Sequence, residues 1–269
     1  MPTTTIPAVL VFSGLDPSGG AGIQADIEAL SSHGCHACPV ITALTEQDTV
    51  DIKSIYPVSI DKIMAQARTV LDDIPIAAIK IGLLGNVGLI YELRKLIDDY
   101  ADIPIILDPI LATGAGTRLA DTRFISVLAQ ELLPATNILT PNHLEAQTLS
   151  AVLGNNSKDL HACAETLLAL ECEYVLITGG HLDSNEIVNT LYHLQQEKEE
   201  FHWKRLPGRF HGSGCTLAAS IAGLIAQNHS PLSAVLQAQE YTWGSLKQAY
   251  QLGKGQLIPN RLYWTQDPC

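Results

Sequence analysis

Basic side chains are scarce in this chain: 16 Lys and Arg stand against 28 Asp and Glu in 269 residues, a formal net charge of −12 at pH 7. A surface of that sign repels phosphate backbones and acidic lipid, which argues against nucleic acid or an anionic membrane as partner. Small anionic ligands stay open, because backbone amides and a metal ion can hold them. Charge of either sign is sparse too, at 16% against 46% hydrophobic residues. That is too little charge for a disordered chain and enough apolar material for a sizeable core. No apolar run reaches the roughly 18 residues of a membrane span. Residues 1–6 contain no Lys or Arg, and the apolar run 8–12 is too short for a signal peptide. A cytoplasmic protein is expected.

Two nucleotide signatures are absent. Neither GxGxxG nor GxxxxGK[ST] occurs, so a dinucleotide-binding dehydrogenase and a P-loop NTPase both lose support. The six cysteines, at 35, 38, 163, 172, 215 and 269, are expected to be reduced. Residues 35–38 have the CxxC form with His33 close by, yet a closed zinc site needs four ligands and no second CxxC or HxxxH is present. A redox CxxC would open a helix, whereas this one follows Gly34, which ends one. A plain buried strand is expected there.

Short apolar strands alternate with amphipathic helices. Strands are expected at 8–12, 39–44, 76–80, 103–107, 137–139 and 174–178, with a flap at 50–58 and an antiparallel pair at 187–194 and 199–206 turning over 195–198. The intervening helices fall near 23–33, 59–71, 87–100, 122–133, 142–150, 158–170, 214–228 and 231–250. This order implies one α/β domain over 1–269, with a mostly parallel sheet covered on both faces. Ligands of such sheets lie beyond the carboxyl ends of the strands. The polar residues just after those ends are 13–22, Gln47, Lys80, Asp108, Asn142, Glu145 and 179–181.

The stretch around which the chain is organised is His211-Gly212-Ser213-Gly214-Cys215-Thr216, followed by an alanine-rich run with Leu217, Ile221, Leu224 and Ile225 on one helical face. Glycines before a helix leave its first amides unobstructed, and those amides with the helix dipole form a place for an anion. Cys215 beside them either leans toward thiolate, or takes a proton from a nearby hydroxyl, or is a buried, inert cysteine at an ordinary helix start. A second cluster, Gly19-Gly20-Ala21-Gly22, precedes another helix, and Asp26 one turn on can point back at it. Asn142 and Glu145, three apart at a helix start, either close a capping box or serve as oxygen ligands near magnesium, through water.

Taken together, residues 14–26, 40–47, 80–82, 108–109, 140–146, 179–181 and 211–216 carry motifs that resemble the hydroxymethylpyrimidine/phosphomethylpyrimidine kinases of thiamine biosynthesis, members of the ribokinase-like superfamily. The resemblance runs in register over about residues 8–250. It implies a three-layer α/β fold, a homodimer, and two successive ATP- and Mg²⁺-dependent phosphorylations of 4-amino-5-hydroxymethyl-2-methylpyrimidine. It also implies that Gln47 holds the pyrimidine, with Gly14 and Asp26 lining its pocket. Gly212, Ser213, Gly214 and Cys215 would form the anion hole, with Cys215 where most ribokinase relatives carry an Asp base. Asn142 and Glu145 would serve Mg-ATP, while Asp108, Thr178 and Gly180 would lie near the phosphates. Thr178 stands where many members have Lys, residues 110–116 contain no Lys-Ser pair, and Ser213 replaces the usual Thr. The first two departures remove cationic help from the second, more anionic step. The rival readings are a pyridoxal/pyridoxine kinase, against which Gln47 speaks, and a non-catalytic pyrimidine-binding regulator, against which Cys215, Asn142 and Glu145 speak.

Overall fold

In the computed structural model, which describes residues 6–180 and 185–265, one nine-stranded sheet runs through the molecule in the order β3-β2-β1-β4-β5-β6-β7-β8-β9. Its strands are β1 (Ala8–Leu15), β2 (His36–Gln47), β3 (Ile52–Pro57), β4 (Ile76–Ile81), β5 (Ile105–Leu107), β6 (Ile138–Leu139), β7 (Tyr174–Ile177), β8 (Glu186–His193) and β9 (Gln196–Lys204). From β2 to β7 all neighbours are parallel, while β3, β8 and β9 add antiparallel margins. The helices are α1 (Gly22–Ser32), α2 (Ile60–Asp73), α3 (Val87–Asp99), α4 (Thr122–Leu132), α5 (His143–Val152), α6 (Leu160–Leu168), α7 (Ser213–Ala226) and α8 (Pro231–Lys247).

Alternation along the strands builds two cores. Leu10 and Phe12 of β1 pack with α2 to α6 on one face. Val9 and Val11 pack with α1, α7 and α8 on the other, where alanines at 218, 219 and 222 let α7 lie close to the sheet. This is the expected three-layer α/β architecture. Cys35, just before β2, and Cys38 within it are buried in opposite cores, so the CxxC spacing marks a strand entry rather than a metal or redox site.

Several boundaries differ from the expectation. β2 continues through Glu46 and Gln47, which pair with β3, so the polar run ends the strand later than its composition suggests. β1 likewise runs on to Leu15, paired with Leu44. The turn between β8 and β9 is Leu194-Gln195 rather than 195–198, because the charged stretch from Gln196 continues the ladder. No described helix is long and apolar enough to cross a membrane.

Candidate active site

β1 pairs with β2 on one side and with β4 on the other, so the chain reverses direction across the sheet there. That switch point is where open α/β sheets open a crevice. Two glycine segments meet at its mouth. A Cβ on Gly212 (φ 78°) would sit 2.1 Å from the carbonyl oxygen of Gly20, and one on Gly20 would sit 2.1 Å from the His211 ring. Gly212 therefore needs glycine because its backbone rests on that of Gly20, while at Gly20 any side chain would have to displace the His211 ring. α7 starts directly after this contact, with Gly214 exposed and Ser213 half-buried, so its first turn opens to the crevice.

Asp16 holds the first segment in shape. Its Oδ1 accepts from the backbone N–H (2.8 Å) and hydroxyl (2.7 Å) of Ser18. Its Oδ2 accepts from the N–H of Ala21 at 2.9 Å and lies 2.7 Å from His211 Nε2. Burial would raise the Asp16 carboxyl, but hydrogen bonds from His211 and Ser18 outweigh it and hold it below the usual carboxylate value. Gln47, at the end of β2, lies with its amide nitrogen 3.0 Å from His211 Nε2 and its oxygen 3.0 Å from Thr45 Oγ1.

From the far end of the chain, Arg261 fastens the same two segments. It is 1% exposed, donates through Nε to Thr216 Oγ1 at 2.8 Å and through Nη2 to the Gly20 carbonyl, and pairs with Glu28 at 3.1 Å. Tyr241 and Ser32 hydroxyls in turn donate to its own carbonyl. A guanidinium with five donors in a rigid fork suits such a three-way junction.

Beneath the first turn of α7 lies a buried group of charges. Lys80 and Asp26 have no exposed side-chain surface and pair at 2.9 Å. Burial alone would lower the Lys80 ammonium, yet the Asp26 carboxylate above all, with Asp108, attracts it strongly enough to raise it well above its usual value. Asp26 thus faces inward to Lys80 and does not reach the crevice surface, a departure from its expected place in the pocket wall. Asp108 is pushed up to about 6 by burial, an effect that Lys80 and the nearby Cys215 thiol partly offset. Burial pushes the Cys215 thiol up to about 12, and the attraction of Lys80 does not overcome this. Cys215 is therefore a neutral thiol, which corrects the expected lean toward thiolate. At 7% exposure the loss of hydration outweighs what the helix start and Lys80 contribute toward thiolate.

Asn142 and Glu145 close a capping box on α5. Asn142 Oδ1 accepts from the N–H of Leu144 and of Glu145, and Glu145 Oε2 accepts from the N–H of Asn142 at 3.0 Å. Glu145 Oε1 also accepts from Leu111 N–H at 3.2 Å. Burial, then the charge of Asp108, pushes Glu145 up to about 8. Asp108 Oδ2 is buried without a hydrogen-bond partner among the described residues. Two acids that repel each other, one with an orphaned oxygen, fit a divalent cation with hard oxygen donors. Thr178 lies beside Asn142, its N–H donating to Pro141 O at 2.9 Å. Gly180 is exposed and its carbonyl accepts from Arg205, while His181 lies outside the described residues. Gly14 lies in β1, where a Cβ would meet Leu83 at 2.9 Å.

The structure thus brings Gln47, Gly14, Gly212–Cys215, Asp108, Asn142, Glu145 and Thr178 to one edge of the sheet. Sequence reasoning put Asp16 and Lys80 among the crevice residues and His211 in the central stretch without giving any of them a task, and it missed Arg261. Asp16 could have been found as an Asx-type turn former before Pro-Ser-Gly-Gly. Lys80, a lone charge in an apolar strand, signals a buried pair. Arg261 has no local signal, since all its partners are distant in sequence.

A helix start opening over buried acids, at the switch point of a largely parallel sheet, is a place for a phosphoryl group beside a cation, and the class it defines is that of small-molecule phosphotransferases. Comparison with known proteins narrows the class. The profile of the phosphomethylpyrimidine kinase family matches residues 16–260, and the chain belongs to that family. It is 33% identical to a hydroxymethylpyrimidine/phosphomethylpyrimidine kinase of Streptomyces coelicolor, over 94% of each chain. Among solved structures it resembles a phosphomethylpyrimidine kinase of Clostridium difficile (30% identity, TM-score 0.75, 88% of this chain and 98% of that one). It also resembles an ADP complex of pyridoxal kinase from Bacillus subtilis (25% identity, TM-score 0.86, 97% of this chain and 99% of that one).

Proposed function

We propose that this protein transfers the γ-phosphoryl group of ATP to the hydroxymethyl oxygen of 4-amino-5-hydroxymethyl-2-methylpyrimidine, and then phosphorylates the monophosphate to the diphosphate used in thiamine diphosphate synthesis. The observation that carries this reading is family membership across the whole catalytic face, joined to the convergence of Gln47 and the start of α7 on one crevice. Phosphoryl transfer asks little covalent chemistry of a protein and much positioning and electrostatic support. Gln47 offers one amide donor and one acceptor, the complement of an aminopyrimidine edge. The amides of residues 212–215 receive the phosphoryl oxygens. The neutral Cys215 thiol lies in contact with Asp108, which can accept the proton that the substrate hydroxyl gives up.

Asn142 and Glu145, through water, would hold magnesium beside Asp108; when bound, the ion would neutralise phosphate charge. Asp26 and Lys80 support this face from beneath, and Thr178 and Gly180 flank the phosphate side. A cytoplasmic homodimer is part of the same reading. Leu44 and Tyr56 are paired neighbours on the outer β2–β3 ribbon and are 45% and 55% exposed, an apolar edge suited to a second copy.

The test is product analysis. Incubated with ATP, Mg²⁺ and hydroxymethylpyrimidine, the protein should yield the monophosphate first and the diphosphate after it, resolved by phosphorus NMR. ADP release without a phosphorylated pyrimidine would reject the reading.

A further inference from the structure

One ring nitrogen in the site has two neighbours that it cannot serve in the same way. His211 Nε2 lies 2.7 Å from Asp16 Oδ2 and 3.0 Å from the amide of Gln47. An ionised carboxylate offers only lone pairs, so the nitrogen facing it bears the proton. A protonated Nε2 has no lone pair left for an amide N–H. On the other side of the amide, the Thr45 hydroxyl lies 2.8 Å from the carbonyl of Leu15 and 3.0 Å from Gln47. That hydroxyl has one hydrogen, which the Leu15 carbonyl takes, leaving lone pairs for Gln47. Which end of a carboxamide is oxygen is decided by its partners. Here both partners give the same answer: oxygen toward His211, nitrogen toward Thr45.

We propose that His211, held by Asp16, and Thr45 are positioning residues that lock the Gln47 carboxamide in this one orientation, and thereby make the site selective for an amine-bearing pyrimidine edge. The proposal rests on the reading of Gln47 as the pyrimidine-binding residue. Locked this way, Gln47 offers a ligand one oxygen lone pair on the His211 side and one N–H on the Thr45 side. An aminopyrimidine meets both, its amine donating to the oxygen and its ring nitrogen accepting from the N–H. A 4-oxo analogue, with a carbonyl beside a ring N–H, presents the two in exchanged positions. A freely turning amide would serve either compound, whereas a locked one rejects the second.

The anchor is deep-seated. Asp16 is 3% exposed, and its Oδ2 also takes the N–H of the Gly20–Ala21 peptide, whose carbonyl is bonded by Arg261. The His211 ring rests against Gly20, where a Cβ would have to displace it. The proton on Nε2 is thus held by a carboxylate that has no freedom to turn away.

The experiment measures kcat and KM for hydroxymethylpyrimidine and for its 4-oxo analogue, with KM for ATP recorded alongside. Wild type should favour the amino compound by about 100-fold, the scale of two mismatched hydrogen bonds. His211→Leu should raise KM for the amino compound and narrow the preference by about tenfold, while KM for ATP moves by no more than about twofold. His211→Gln, whose amide N–H can face Asp16 and Gln47 from the same place, should restore most of it. Should the leucine variant not fold, Thr45→Val removes the other anchor without touching the glycine segments and should narrow the preference as well. A wild type that uses both compounds equally overturns the proposal, as does a leucine variant of unchanged preference or a glutamine variant as poor as leucine. Gln47→Met separates the two levels. If it leaves the preference intact, the reading of Gln47 itself fails; if it abolishes the preference while His211→Leu and Thr45→Val do not, only the locking fails.

Discussion

Cys215 shows what a residue's surroundings do to its chemistry. Its place at a glycine-flanked helix start reads as an activated thiol, yet its sulfur is sealed over Lys80 and Asp108 and its thiol is pushed up to about 12. Alkylation mapped by peptide should therefore remain slow at Cys215 from about pH 7 to about pH 9, and fast labelling there would contradict a neutral buried thiol. Because Asp108 and not this neutral thiol takes the proton, Cys215→Ala should leave pyrimidine binding nearly intact and lower turnover by only about tenfold. A loss of about 10²-fold or more would make the thiol itself the acid–base group. Glu145 carries a pH signature. Its folded value, about 8, exceeds the ordinary 4.5, so the protonated form is favoured in the folded protein. The associated stability is complete below the ordinary value and is lost as pH rises through about 8. The metal-free protein should thus melt at lower temperature on going from about pH 6 to about pH 9, and Glu145→Gln should flatten that fall. A Gln closes the capping box with its oxygen but turns an N–H toward Leu111 or Asn142, at a cost of about 1–2 kcal/mol. An equally steep pH dependence in the variant would assign it elsewhere. The capping box itself was legible from the three-residue spacing; the charge states were not, because they depend on burial by segments far away in the chain.

Among the elements, the C-terminal segment gains a role that no motif announces. Arg261 joins α1 through Glu28, the Gly19–Gly20 turn through its carbonyls, and α7 through Thr216. Arg261→Gln strips a buried cation from this junction and should cost on the order of 3 kcal/mol in denaturant unfolding. It should also lower kcat, because the first turn of α7 loses its fixed distance from the glycine turn. A variant of wild-type stability and rate would show the segment to be a passive cover. Element type and order followed from periodicity throughout, since strands buried on both faces read as short apolar runs and helices as stripes. Ends were harder. β2 outlasts its apolar residues because β3 supplies ladder partners for Glu46 and Gln47, and pairing across sequence is invisible to a local pattern.

For the whole molecule, the alternation of strand and helix was enough to infer a covered parallel sheet and to place its functional edge at the strands' carboxyl ends. The joint motifs narrowed that edge to one kinase family. What they could not distinguish was which neighbours surround each candidate side chain, as His211 and Asp16 do at Gln47. Among the structures this chain resembles is a pyridoxal kinase complexed with ADP, so fold alone leaves the acceptor open. On the proposed reading the contest is decided by chemistry at Gln47: an aminopyrimidine would satisfy both ends of the amide, whereas pyridoxal presents a phenolic oxygen without an adjacent donor–acceptor pair. The most direct measurement is therefore kcat/KM for hydroxymethylpyrimidine and for pyridoxal under the same ATP and Mg²⁺. The account predicts a preference for the pyrimidine of at least about 10-fold to 100-fold, the cost of leaving the amide mispaired. Equal use of the two, or a preference for pyridoxal, would contradict it.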